Sequence, residues 1–173
     1  RRLKQNKMAR QETSYIVIHC SQTRPSQKIG AREIDRWHRE RGWLKIGYGV
    51  VIKRDGTIEQ GREDDEVQAA VKGYNHTSFN LALIGGAKEE DWKQPEDNFT
   101  AEQWEALKKE LTRLVKKYPD ARIVGHYDLD KNKTCPNFDV QNYLLHEDIP
   151  NYKFQDGLTN EADLEELRND GVI

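Results

Sequence analysis

Residues 15–19 read YIVIH, a short run rich in β-branched residues that closes on a histidine. The turn-rich stretch SQTRPSQKIG begins two residues later. An apolar run this short, bounded by turn residues, predicts a buried strand rather than a helix. Residues 122–126, RIVGH, repeat the pattern and also end on a histidine. Helical and strand-like segments alternate between and around these two runs. The spacing therefore predicts an α/β domain with a central mixed β-sheet flanked by helices.

Outward from the first run, residues 31–41 (AREIDRWHRER) predict a helix. Ile34 and Trp37 lie on its inner face with His38 beside them, and Gly42 stops it. Residues 47–53 (GYGVVIK) predict a strand that turns at Asp55-Gly56 and returns as TIEQ. Residues 78–84 (SFNLALI) predict another strand, ended by Gly85-Gly86. The clearest helix signal begins at Thr100, which forms a capping box with Gln103, while Phe99 and Trp104 occupy staple positions. Trp104, Leu107, Leu111, Leu114, Val115 and Tyr118 then recur at helical spacing. A short helix is expected over 139–145, capped by Asp139, and another over 160–168.

The chain of 173 residues fits one domain. With 28 Lys and Arg against 30 Asp and Glu, the net charge of -2 gives no drive toward nucleic acid or acidic membranes. No run has the 18 or so apolar residues of a membrane helix, and no apolar signal-peptide segment follows the basic start. Synthesis in the cytoplasm is expected, with a natural start at Met8. The domain is expected over residues 14–145, with residues 1–13 as an arm and 146–173 as an acidic tail. Two cysteines, Cys20 and Cys135, are too few for a disulfide scaffold and are expected to be unpaired.

His19 and His126 end their apolar runs, where α/β folds place their sites. Cys135 follows His126 by nine residues, across a loop long enough to fold back. Two imidazoles and a thiolate leave the fourth tetrahedral position for water, the pattern of a catalytic zinc site. By spacing alone this signal is weak, and a hydrogen-bonded structural role for each histidine is the commoner reading. Asp128 is a candidate to orient the His126 ring. His38, His76 and His146 read as surface or half-buried side chains.

Six blocks carry a resemblance: IVIHCSQTRPSQ, AREIDRWHRERGW, IGYGVVIKRDGTIEQGR, KGYNHTSFNLALIGG, NFTAEQ and GHYDLDKNKTCPNFD. In this order the chain resembles the zinc-dependent N-acetylmuramoyl-L-alanine amidases, a family that includes peptidoglycan recognition proteins, and most of all its small phage endolysins. The resemblance implies one zinc ion on His19, His126 and Cys135, with Tyr48 and Lys133 catalytic and Asn75 at the substrate. It implies hydrolysis of the amide between N-acetylmuramic acid and L-alanine, by a monomer that reaches the wall through a membrane lesion. Gly49 and Ala70 stand where relatives carry larger polar residues, and both are expected to border the substrate groove. The alternatives are a peptidoglycan-binding module without catalysis and an amidase that also binds the phage RNA polymerase. Cys135 argues against the first.

Overall fold

A computed structural model describes residues 9–153 and residue 169. The helix expected over 160–168 lies outside the described residues but for its neighbour at 169. Strand β1 (Tyr15–Cys20) pairs in parallel with β4 (Ser78–Leu83) on one side and with β5 (Arg122–Gly125) on the other. Strand β2 (Val50–Ile52) runs parallel to β4, and β3 (Ile58–Gln60) returns antiparallel to it through the Asp55-Gly56 turn. The five-stranded order is β3-β2-β4-β1-β5, a mixed sheet as the sequence predicts.

Alternation divides the sheet into two faces. Ile16, Ile18, Phe79, Leu81, Leu83 and Ile123 join one core cluster with Leu107, Leu111 and Leu114. The leucines come from helix α2 (Ala101–Lys117), which follows α1 (Ala31–Glu40). Burying each leucine fully contributes about 1.5–3 kcal/mol. Val17 and Val124 point to the other face and pack with Val71. His19 and Asn80 share that face by the same alternation.

The first turn of α2 is tied to the sheet. Thr100 Oγ1 accepts from the Gln103 amide at 3.1 Å, and Gln103 Oε1 accepts from the Thr100 amide at 3.0 Å. Gln103 Nε2 then donates to Ile84 O at 2.8 Å and Ile52 O at 3.2 Å. The cap residue thus satisfies carbonyls at the ends of two strands, which explains a fully buried glutamine. The Phe99 and Trp104 rings meet edge to face at 5.6 Å, as the staple requires.

Three local expectations are corrected. The strand predicted over 47–53 is only Val50–Ile52, with the Gly47 amide turned to a side chain while Gly49 still bonds the neighbouring strand. Gly47 N–H donates to His38 Nδ1 at 2.9 Å and Gly49 N–H to Asn80 O at 2.8 Å. His38 is therefore buried, since its ring nitrogen serves that turn. The strand ending on His126 stops at Gly125, and His126 opens helix α3 (His126–Leu129). Helix α4 (Val140–His146) has the expected Asp139 cap.

Chain on both sides of the core packs against it. Arg10 is buried, donates to Asp64 O and Glu66 O, and lies over the Phe79 and Tyr118 rings. Ile149 is buried, and Tyr152 accepts the Ile123 amide at 3.0 Å.

Candidate metal centre

His19 is the fifth residue of β1, on the face opposite α2, with 1% of its surface exposed. His126 opens α3 at the end of the neighbouring strand. The loop after α3 brings Cys135 back to both. It is pinned by Tyr127 N–H to Cys135 O at 3.0 Å and Lys133 N–H to Asp130 O at 3.1 Å. Asn137 holds its far side with a left-handed backbone (φ 67°), which Asn tolerates better than most residues. Its Nδ2 donates to Gly86 O at 2.7 Å and Gln22 Oε1 at 2.6 Å. The ligand atoms of His19, His126 and Cys135 then lie within 4.8 Å of one another. Among the described residues this is the one such group of three.

His19 Nδ1 is 3.2 Å from His126 Nδ1. Cys135 Sγ accepts the Cys20 amide at 3.2 Å, and both cysteines are free thiols. Burial, with His126 adding to it, lowers the His19 pKa to about 3 against a small opposing effect of Asn80. Burial and then the Lys133 charge also lower His126, with Asp130 opposing. Both imidazoles are thus neutral near pH 7 and offer lone pairs. Burial raises the Cys135 thiol well above its ordinary value. A divalent cation beside it would reverse that by stabilising the thiolate.

Tyr48 packs at this centre, its ring 5.1 Å from that of His19. Burial first, then Cys135 and Cys20, raise its phenol, so it stays protonated. Behind it the His38 ring lies 5.5 Å away, and the Trp43 ring meets His38 at a tilt with centroids 4.5 Å apart. Lys133 is exposed on the loop, near enough for its charge to act on His126 and Cys135. Asn75 lies in the 70–75 loop, where its Oδ1 accepts the Ala70 and Val71 amides at 2.9 and 3.0 Å.

Two expected roles change. Asp128 does not orient His126; its carboxylate caps α3 by accepting the Gly125 amide at 2.9 Å. Gly49 does not border a groove. It is buried, and a methyl group there would lie 2.6 Å from Gln68 Nε2 and 2.7 Å from the Phe79 ring. Ala70 is half-buried against the Val17, Val71 and Val124 cluster. The partner of His19 is instead Asn80, whose Oδ1 lies 2.8 Å from His19 Nε2. The sequence carried one signal for it: an amide in the middle of the apolar run SFNLAL.

Comparison with known proteins gives the same reading. The N-acetylmuramoyl-L-alanine amidase family model matches residues 9–138. The endolysin of Enterobacteria phage K11 is 47% identical over 135 residues, 78% of this chain and 87% of that protein. The endolysin of Escherichia phage T7 is 43% identical over 134 residues, with the same coverage. Among solved structures, the amidase LysC from Clostridium intestinale URNW superposes with a TM-score of 0.65 at 28% identity, covering 78% of this chain and 85% of that one. With the sheet, the ligand cluster and these matches in agreement, the chain belongs to the N-acetylmuramoyl-L-alanine amidase family.

Proposed function

We propose that His19, His126 and Cys135 hold one zinc ion with which this amidase cuts the amide between N-acetylmuramic acid and L-alanine, as a phage endolysin does in host lysis. The observation that carries the metal assignment is the convergence of two imidazole nitrogens and one thiol within 4.8 Å. Two neutral Nδ1 atoms facing each other at 3.2 Å repel unless a proton or cation lies between them. The mixed nitrogen and sulfur set suits zinc, and three ligands are what a hydrolytic site uses. When bound, zinc lowers the pKa of a coordinated water to about 7 and polarises a carbonyl.

The chain's own groups supply the rest. The Lys133 ammonium, free to swing on an exposed loop, stabilises the oxyanion that forms when the amide carbonyl is attacked. The Tyr48 phenol, kept protonated by burial, hydrogen-bonds the reacting groups or hands a proton to the leaving amine in this reading. Asn75 shapes the 70–75 loop and through it the substrate groove. Departure of the amine frees a stem peptide that begins with L-alanine. No described helix is long and apolar enough to cross a membrane. The route to the wall proposed here is release through a lesion made by another protein.

Metal analysis of the purified chain tests the assignment. About one zinc per chain is expected, with sharp loss in Cys135→Ser and His126→Ala. Full occupancy in Cys135→Ser would remove Cys135 from the ligand set, and full occupancy in His126→Ala would overturn the site.

A further inference from the structure

We propose that Asn80, itself oriented by Gln68, locks His19 in the tautomer that presents Nδ1 to the metal and so sets how tightly the ion is held. This rests on the zinc reading above. The Asn80 N–H can only donate. Gln68 Oε1 lies 2.7 Å from it, which fixes the orientation of the Gln68 amide. The same Oε1 lies 3.4 Å from Asn80 Nδ2, and Ser78 O lies 3.5 Å from it. Both are acceptors, so the NH2 of Asn80 must face them, and Ser78 Oγ at 3.0 Å takes a further contact.

The carbonyl oxygen of Asn80 is then left facing His19 Nε2 at 2.8 Å. An amide oxygen only accepts, so Nε2 carries the hydrogen and the Nδ1 lone pair points toward His126 and Cys135. The whole chain is sealed from water: Gln68 and His19 are 1% exposed, Ser78 and Asn80 0%. Gln68 Nε2 has no partner in this arrangement, but reversing Gln68 would set two donors against each other at the Asn80 amide, and reversing Asn80 would set two acceptors against each other at Gln68 Oε1, at about 1–3 kcal/mol each. The polarity of one strand amide is thereby transmitted to a metal ligand.

Gly49 belongs to this device. Gln68 Nε2 occupies the place where a side chain at position 49 would begin, 2.6 Å from a methyl carbon there. Glycine at position 49 is what makes room for Gln68. Asn80 and Gln68 touch neither substrate nor metal and act as positioning residues.

The test pairs imidazole 15N NMR with zinc affinity measured by chelator competition. In the metal-free wild type, His19 should show the Nε2–H tautomer. Asn80→Leu should lose that signature and bind zinc about 10–100-fold more weakly, the usual effect of removing a ligand's outer partner. Asn80→Asp, which keeps an acceptor, should restore the tautomer and most of the affinity. Should Asn80→Leu not fold, Gln68→Met serves, with a mixed tautomer and weakened binding expected. An Nδ1–H tautomer in the wild type overturns the inference. So does an affinity within twofold of wild type in Asn80→Leu, or in Gln68→Met where that variant is used. A wild type that takes up no zinc would defeat the zinc reading and the affinity half of this one. The metal-free 15N spectra would still decide the Asn80–His19 lock.

Discussion

At position 49 there is space for a hydrogen and little else. Phe79 and Gln68 stand within 3 Å of any Cβ added there. Gly49→His should therefore cost more than the 1–3 kcal/mol typical of overpacking, seen as a lower midpoint in urea unfolding. An unchanged midpoint with a lower KM would restore the groove reading. Lys133→Ala should keep its zinc and lose roughly 10²–10³ in turnover, the scale for one oxyanion donor. Unchanged turnover would leave Lys133 a solvated surface charge. The convergence of His19, His126 and Cys135 could be read because strand ends and a return loop are visible as sequence spacing, while their role as metal ligands rests on the proposal above. Asn80 and Gln68 could not, because their roles depend on which atom of an amide faces which neighbour.

Helix α1 carries a pH-dependent anchor. His38 accepts the Gly47 amide through Nδ1, a bond that only the neutral ring in its Nε2–H tautomer can make. Burial, then Arg41 and Arg62, lower its pKa from 6.5 to about 4, with Asp35 opposing. The unfolded chain takes up this proton as pH falls below about 6.5, while the folded chain waits until about 4. The stability owed to neutral His38 is thus complete above about pH 6.5 and declines toward pH 4. Asn at this position keeps an acceptor and cannot titrate, so His38→Asn should flatten the unfolding free energy across that window. Equal slopes in the two proteins would contradict the anchor. At helix α2, Thr100→Ala should cost about 1 kcal/mol by loss of its cap, and unfolding at wild-type denaturant would argue against that cap. Helix α2 and its cap were legible because the apolar spacing and the capping box are local. Strand β2 came out shorter than its apolar run, with the Gly47 amide turned to the His38 ring although Gly49 still bonds Asn80 on β4.

For the molecule as a whole, the two faces of the sheet divide the work. One face joins α2 in the main core, while the other holds His19, Asn80 and the smaller clusters around them. Apart from the β2–β3 hairpin, which its turn announced, the order β3-β2-β4-β1-β5 joins strands far apart in sequence, so periodicity predicted those strands without their pairing. Because three segments of chain meet at His19, His126 and Cys135, zinc bound there should stabilise the fold by mass action. Chelation should lower the unfolding temperature and zinc should restore it; a midpoint indifferent to both would separate the metal from the fold. The central claim concerns which bond is cut, and mass spectrometry of peptidoglycan digested by the purified, zinc-loaded chain reads that directly. The account predicts stem peptides with a free L-alanine amino terminus and glycan strands of unchanged length. Shortened glycan strands, or peptides still attached at the lactyl group, would contradict it.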